Sequence, residues 1–390
     1  MILEDVRLKD ISQNNNDSPY YFRTRLLDVI TDKGTFTTPS RVNTRTEYVA
    51  RSHVPLSEAL DLNLAADFRE LTVEQTDNIL SDDGEKDIKK ILDLVGQFND
   101  VTRRAIFKIS IFQPPKTRLL TMTNEEKLDF ADYQADLFQI SLGSGLVTYP
   151  YLALPVSEYK KFIDTRIKRD ENTTTIFTLD MGMESQYFRE MINHIISKKQ
   201  PTIICFIHRP WIDTPKNHTM ISKLYDNEKT VFFACQVARE EDTSHGSNLH
   251  SIGFTRGFDL VALHQSRGGG GDKDLSLNKI KFFDPKTLEI NTIDNVMRNP
   301  TRDVVKEFNF SPHNFRDEEY VSMILKGYEG AQHHDKKHEI LYYLARTHEA
   351  MLSPKIFAQT REKIAANEME LYIKDTVLRN MPMLRAPLVE

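Results

Sequence analysis

Four short apolar runs decide the fold of this chain: Thr175–Leu179 (TIFTL), Thr202–Ile207 (TIICFI), Thr230–Cys235 (TVFFAC) and Phe258–Leu263 (FDLVAL). They begin about 28 residues apart, and none shows the strict apolar–polar alternation of a strand with one wet face. Such runs are typical of strands buried on both faces of a parallel sheet. The order of strand, helix and strand therefore predicts consecutive βαβ units. The intervening helices are expected over Ser185–Ser197, Asn217–Tyr225 and Ser247–Phe254.

Outward from these runs, the pattern predicts an α/β protein, namely a (β/α)₈ TIM-type barrel with a helical C-terminal extension. Such a barrel needs about 250 residues, and the chain has 390. We predict a flexible N-terminal arm over 1–20, the barrel over 21–295, and a helical region packed on the barrel over 296–390. The expected C-terminal helices are Glu318–Tyr328, Lys336–Met351, Pro354–Ala366 and Met369–Arg379. A hairpin is expected over 279–293.

Composition narrows the class of protein. Hydrophobic content of 39% and charged content of 28% are ordinary globular values, and the net charge of −6 excludes a uniformly basic surface. The two cysteines, Cys205 and Cys235, lie inside apolar runs, which excludes a disulfide framework and a thiolate metal site. No Gly-x-Gly-x-x-Gly follows a run, so a dinucleotide fold has no support. Without a signal-peptide pattern or an apolar stretch of about 18 residues, we expect a cytoplasmic protein with no membrane contact.

Polar side chains follow each of the four runs. In a parallel barrel the strand ends meet on one face, so a carboxylate, imidazoles, an amide and guanidiniums would converge there. Such a set could bind an anionic ligand and supply acid–base chemistry, although polar residues also commonly open surface loops. The only tryptophan, Trp211, could stack on a base or cover the rim. The candidates are Asp180, His208, Arg209, Gln236, Arg239, His264 and Arg267.

A second constellation lies at His334 and His338, one helical turn apart with Asp335 directly after the first. The spacing is similar to the His-Glu-x-x-His zinc helix, with Asp in place of Glu. The segment is also strongly polar, as an exposed helix start would be, and we expect that role and no metal.

Several segments, in order, resemble the tRNA-guanine transglycosylase superfamily, including its DNA 7-deazaguanine branch. Ile176–Gly182 is similar to the family's Phe-Gly-Ile-x-Gln-Gly-Gly strand, and Gly257–Leu260 to its Gly-x-Asp-x-Phe-Asp entry to the last barrel strand. Ser266–Gly268 resembles the Thr-Arg that follows. Further similar segments are Gly34–Pro39, Glu125–Tyr151, Lys279–Asp294 and His338–Ala366, with His348 near the family's zinc-binding histidine.

The resemblance also has departures at functional positions. The family's nucleophilic aspartate on the last strand falls at Ala262, with Asp259 three residues earlier. Its Asp-Ser-Gly-Gly-Phe-Gln loop falls near Phe107–Gln113, where only Phe112-Gln113 match. Its Cys-x-Cys-x-x-Cys motif falls near Phe308–His313, which has no cysteine. We therefore expect no cofactor and no structural zinc.

The resemblance implies exchange of guanine for a 7-deazaguanine in tRNA or DNA, through an aspartate that forms a covalent intermediate. Asp180 is the first candidate for that carboxylate, and Asp259 and Asp284 are the alternatives. Two other functions stay open. One is a catalytically silent relative that binds nucleic acid or a partner subunit. The other is a different barrel hydrolase that uses Asp180 with His208 or His264. With any of these functions, the chain could form a homo- or hetero-dimer.

Overall fold

A computed structural model of the chain has a mixed α/β architecture. It describes residues 2–14, 17–45, 47, 64–81, 85–103, 105–142, 146–169, 173–238, 240–241, 244–264, 281–292 and 334–385. The strands are β1 Leu3–Gln13, β2 Arg23–Thr31, β3 Gly34–Thr37, β4 Ser40–Arg41, β5 Asn43–Thr44, β6 Leu64–Glu70, β7 Phe107–Gln113, β8 Leu146–Tyr149, β9 Thr174–Asp180, β10 Thr202–Ile207, β11 Thr230–Val237, β12 Glu240–Glu241, β13 Ser244–Ser247, β14 Leu260–Leu263, β15 Lys281–Phe283 and β16 Ile290–Thr292.

The helices alternate with these strands through the middle of the chain and dominate its last part. They are α1 Val73–Leu80, α2 Glu85–Val101, α3 Lys116–Leu119, α4 Asn124–Leu142, α5 Val156–Arg169, α6 Ser185–Ile196, α7 Pro215–Lys223, α8 Asn248–Thr255, α9 His334–Ala365, α10 Met369–Asp375, a 3₁₀ turn at Val377–Asn380, and α11 Pro382–Arg385. None of the helices in the described ranges is long and apolar enough to cross a membrane.

The four apolar runs form neighbouring parallel strands, as predicted. The sheet has the order β4-β14-β11-β10-β9-β8, and every pairing in it is parallel. Ile203 of β10 lies between Ile176 and Val231 of its two neighbours. The predicted helices also form between the strands, as α6, α7 and α8. Aromatic side chains on one face of the sheet pack against these helices, which buries the sheet on that side.

A second parallel sheet has the order β5-β6-β7. A single residue, Val42, separates β5 from β4 of the first sheet, and its N–H donates to the Val261 carbonyl at 2.8 Å. Between β7 and β8 the Thr148 hydroxyl donates to the Ser110 carbonyl at 2.7 Å. Both parallel sheets contribute to one apolar cluster, which contains Val42, Leu64, Ala66, Phe68, Phe107, Ile109, Ile111, Ile176, Ile203, Cys205, Val231, Phe233, Cys235, Leu260 and Ala262.

The predicted flexible arm at 1–20 is wrong, because β1 is an 11-residue strand. It pairs antiparallel with β2 along its whole length, and β3 continues that sheet on the other side of β2. Its Leu3 and Val6 are buried while the charged residues between and after them stay outside, so the strand has one apolar face. The polar residues that suggested a flexible arm lie on the solvent-exposed face of this strand.

A buried ion pair joins this antiparallel sheet to the parallel one. Arg25 of β2 donates from Nε to Asp259 Oδ1 at 3.0 Å and from Nη2 to Asp259 Oδ2 at 2.7 Å. Its remaining donors meet the carbonyls of Thr230, Asn227 and Leu224, in and before β11. Both side chains are essentially unexposed, at 0% and 1%. The full set of partners satisfies a guanidinium that burial would otherwise strongly disfavour.

The C-terminal helices differ from the prediction at two places. The helix predicted over Met369–Arg379 ends at Asp375 and is followed by a 3₁₀ turn. The expected break at Pro354 does not occur, and α9 runs through it from His334 to Ala365. Arg41 of β4 donates to the Glu349 carbonyl and to the Ser353 hydroxyl just before the proline, which supports the backbone there. The expected hairpin near 279–293 forms as β15 and β16. The expected helix at 318–328 lies outside the described residues.

Replacing Arg25 by Met should lower the free energy of unfolding by about 3–5 kcal/mol, because Asp259 is then left buried without its partner. Urea unfolding followed by circular dichroism would measure the loss. The matched control is Arg103→Met, since Arg103 pairs with Asp100 at 77% and 67% exposure. That control should change stability by no more than about 0.5 kcal/mol. Equal effects of the two changes would contradict the anchoring role of Arg25.

Candidate functional site

The carboxyl ends of neighbouring parallel strands carry an ion pair. Asp180 is the last residue of β9, and Arg209 follows β10 by two residues. Arg209 donates from Nε to Asp180 Oδ1 at 2.9 Å and from Nη2 to Asp180 Oδ2 at 2.7 Å. This two-pronged pair raises the pKa of Arg209. The Asp180 side chain is 14% exposed and that of Arg209 is 42% exposed, so the pair can be reached from solvent.

The loop after β9 fixes the carboxylate from the other side. Gly182 N donates to Asp180 Oδ1 at 2.7 Å. A Cβ on Gly182 would lie 3.1 Å from the same oxygen, so a larger residue there would require the carboxylate to shift by a few tenths of an ångström. Asn217, near the start of α7, donates from Nδ2 to the carbonyls of Met181 and Met183 at 2.8 and 2.9 Å. The position of Asp180 therefore depends on a buried side chain of the next helix but one.

His208 does not face this pair, although the sequence placed it in the same pocket. Its ring is buried and lies edge-on to the His218 ring of α7, with ring centroids 5.3 Å apart. His208 points away from the pair because side chains alternate along a strand. Ile207 points into the apolar cluster, so the side chain of His208 points outward, toward the helices. Burial holds the pKa of His208 well below its usual value, and lowers that of His218 to about 4.

Gln236 lies at the carboxyl end of β11 in a left-handed conformation, with φ of 59°. This conformation coincides with an irregularity in the pairing of β11 with β14. Its side-chain Nε2 reaches the Phe68 carbonyl of β6 at 3.4 Å, so it spans from one parallel sheet to the other. Its Oε1 is buried and has no hydrogen-bond partner among the described residues.

A narrow cavity lies beside Gln236, with room for about one water molecule. Its walls are mostly apolar, and Ala262 and Cys235 are among them. Asp67 also lines it, and burial raises the pKa of that carboxyl to about 7, although Arg45 opposes the shift. Arg69 Nε donates to both Asp67 oxygens, at 3.0 and 3.3 Å. The cavity thus combines apolar walls with one buried carboxyl.

Tyr151, just after β8, completes the described rim near Asp180. Gln113 holds its backbone on both sides, donating to the Tyr151 carbonyl at 2.8 Å and accepting from Tyr151 N at 2.9 Å. Burial raises the pKa of Tyr151 to about 12, and the nearby Asp180 carboxylate adds to that shift. The phenol therefore stays protonated and can donate a hydrogen bond.

The alternative carboxylates lie elsewhere. Asp259 directly precedes β14, so it is at the amino end of the sheet, bound to Arg25. Asp284 is in the turn between β15 and β16, where its Oδ1 accepts from Lys286 N at 2.8 Å. Neither position is the one expected for a strand-end carboxylate. None of the three candidates, Asp180 included, lines the cavity beside Gln236. His264 does lie at a strand end, exposed after β14, with its N–H on the Val237 carbonyl at 2.8 Å.

Arg239 and Arg267 lie outside the described residues, as does the segment 308–313. His334, Asp335 and His338 belong to α9, but their side chains are not among those described. Within the part of the chain that is described, no three His, Cys, Asp or Glu side chains come close enough to hold a metal ion. At the strand ends, Asp180 and Arg209 are therefore in direct contact. Gln236 lies beside the cavity, which the pair does not line.

Sequence reasoning missed the residues that support the pair, above all Asn217, His218 and Gly182. Asn217 and His218 stand in a short polar helix start after Pro215, where such residues are ordinary. Only the fold shows that they are buried and face the loops. Gly182 gave a weak signal, since a glycine two residues after a strand often permits a close backbone approach.

The chain was also compared with known proteins. No protein-family model matches it, and no curated protein matches its sequence.

Replacing Gly182 by Ala should lower the free energy of unfolding by about 1–3 kcal/mol, because the new methyl group presses on the Asp180 carboxylate. Thermal and urea unfolding would measure it. Gly96→Ala is the matched control: its Cβ would meet nothing within 4 Å inside helix α2. That change should stabilise the protein by about 0.5–1 kcal/mol. A stabilising Gly182→Ala would rule out the close contact.

The buried His218 predicts a dependence of stability on pH. Its folded pKa of about 4 lies below the unfolded value of about 6.5, so the unfolded chain binds the proton more readily. The contribution of neutral His218 is present above pH 6.5 and is lost as the pH falls toward 4. His218→Gln should reduce that loss by on the order of 3 kcal/mol, measured by urea unfolding at both pH values. Identical pH slopes in the two proteins would contradict this.

Proposed function

We propose that the two parallel sheets form one closed (β/α)₈ barrel. Val42 lies between strands that belong to the two sheets, so residues 40–44 supply one edge to each. Opposite that junction, the hydroxyl of Thr148 bonds the Ser110 carbonyl and so links β8 to β7. The shared apolar cluster would be the barrel interior, filled by side chains from both sheets. Asp180 and Arg209 would then lie at the carboxyl-terminal mouth.

We further propose that this barrel is of the transglycosylase type and exchanges guanine for a 7-deazaguanine base in tRNA or DNA. One observation carries the proposal: a solvent-reachable carboxylate, Asp180, is held by Arg209 at the carboxyl end of the parallel strands. That end is where α/β barrels bind their substrates. A half-exposed guanidinium there can also contact a phosphate of the nucleic acid.

In the proposed reaction, a carboxylate oxygen of Asp180 attacks the anomeric carbon of a flipped nucleotide. The bond from that carbon to guanine breaks, and the departing base keeps the electron pair and takes a proton. An acid beside the departing base must donate that proton. The incoming 7-deazaguanine then attacks the same carbon, which breaks the ester to Asp180. Its displaced ring proton returns to the acid.

A catalytically silent relative is the second candidate, and Ala262 favours it. This residue stands where the resemblance places the family's nucleophile, and its methyl group lines the narrow cavity. A cavity with room for about one water does not accept a base without rearrangement. In that case the chain would bind nucleic acid or a partner subunit. A hydrolase that pairs Asp180 with His208 has less support, because the His208 ring faces α7.

Asp180→Asn should leave the fold intact and lower incorporation of a labelled 7-deazaguanine into tRNA or DNA by at least about a hundredfold. The amide keeps the shape of the carboxylate and removes its charge. The matched control is Asp164→Asn on helix α5, where the carboxylate pairs with Lys198 at the surface and should not affect turnover.

Normal turnover in Asp180→Asn would move the chemistry away from this carboxylate. An inactive Asp259→Asn or Asp284→Asn would take its place only if circular dichroism shows that the variant is still folded, because Asp259 is also the buried partner of Arg25. No incorporation by the unaltered protein, together with binding of the same nucleic acid, would support the silent relative. Gel-shift titration of the unaltered protein provides that binding measurement.

A further inference from the structure

Two neighbouring residues of α7 contact the two loops that flank the ion pair of Asp180 and Arg209. Asn217 donates to the carbonyls of Met181 and Met183, which flank Gly182 in the loop after β9. His218 bonds through Nε2 to the Arg209 carbonyl at 2.9 Å, in the loop after β10. Both side chains are almost fully buried, at 2% and 0% exposure. One helix start therefore holds the backbone on either side of the pair.

The chain of contacts leads directly to the carboxylate. Because Asn217 fixes the carbonyls before and after Gly182, it sets the direction of the Gly182 N–H. That N–H donates to Asp180 Oδ1, the oxygen that Arg209 Nε also contacts. Loss of the Asn217 amide would free the peptide that orients Asp180, although no atom of Asn217 touches the carboxylate.

The hydrogen bonds that Asn217 and His218 make, and those that they lack, indicate that these side chains orient the loops and do not merely fill space. Asn217 Oδ1 and His218 Nδ1 are buried and have no partner among the described residues. An unpartnered buried polar atom costs about 1–3 kcal/mol, so each of these two side chains is kept at some cost to stability. What an apolar side chain could not provide is the set of N–H donors to the two loops.

We propose that Asn217 and His218 are positioning residues, which hold Asp180 and Arg209 in their two-pronged arrangement. This proposal rests on the function proposed above only in one point, namely that the ion pair of Asp180 and Arg209 acts on a substrate. The arrangement itself can be tested without any substrate, so the two can fail separately.

The first test measures the coupling between Asp180 and Arg209 by a double-mutant cycle of Asp180→Asn and Arg209→Met. Urea unfolding should show a coupling of about fivefold in the unfolding equilibrium constant for this partly exposed pair. The cycle is repeated in an Asn217→Asp background, where the isosteric carboxylate cannot donate to the two carbonyls. The coupling should then fall to about onefold. An unchanged coupling in that background would overturn the proposal.

Ser222→Ala provides the matched control for the same cycle. Ser222 is buried in the same helix and donates to the carbonyls of His218 and Arg256, not to either loop. It should lower stability and leave the coupling at about fivefold. A coupling that collapses equally in this control would show that any damage to α7 has the same effect, which contradicts a specific role.

A second pair of variants guards against misfolding of Asn217→Asp. His218→Gln keeps a side-chain N–H near the Nε2 position, whereas His218→Leu removes it. The coupling should survive in the Gln variant and be lost in the Leu variant. Loss in both, or survival in both, would overturn the role of His218.

Discussion

The buried pair of Arg25 and Asp259 is the interaction on which the remaining architecture depends. It occurs where three parts of the chain meet: strand β2, the turn before β11, and the entry to β14. A lone guanidinium in this interior would be strongly disfavoured, and only the combination of carboxylate, carbonyls and the Phe232 ring 4.7 Å away makes it tolerable. Its geometric demands therefore fix where the antiparallel sheet sits on the amino end of the parallel strands. With that end covered, the strand ends that remain open for chemistry are those of Asp180 and Arg209.

At the open end, the fold separates residues that look equivalent in the sequence. Asp180, His208 and Gln236 each lie at or directly after the end of an apolar strand, yet only Asp180 joins Arg209. Asp180 pairs with the inward-facing Ile207 of β10, so its side chain lies on the same face of the sheet. His208 follows Ile207 by one residue, so its side chain is on the opposite face and points toward α7. Gln236 reaches across the cavity because a left-handed residue and a pairing irregularity turn the end of β11. Polar groups at one end of a sheet thus acquire different roles from single-residue differences in strand length.

Much of the architecture could be predicted from local patterns, and the failures have a common physical cause. The runs from Thr175 to Leu263 were predictable because burial on both faces leaves a plain apolar signal. Strand β1 was not, because its stability comes from pairing with β2 and its sequence alone is mostly polar. Helix α9 passes Pro354 for a similar reason, since Arg41, distant in sequence, supports the turn before it. For the site, the strand-end rule found Asp180 and Arg209 but could not find Asn217, whose role depends on which helix packs beside which loop.

The pairing of β4 with β14 has a consequence for the order in which a ribosome-bound chain can fold. Arg25 and Asp259 are 234 residues apart in sequence, and Ser40 pairs with Leu260. While the chain is being made, the N-terminal hairpin emerges early, but neither its charged partner nor its neighbouring strand yet exists. The β1–β2 pair must wait with an uncompensated arginine and an apolar face until Asp259, 234 residues after Arg25, has been synthesised. During that interval the antiparallel sheet of β1 and β2 is an apolar surface of the kind that chaperones shield.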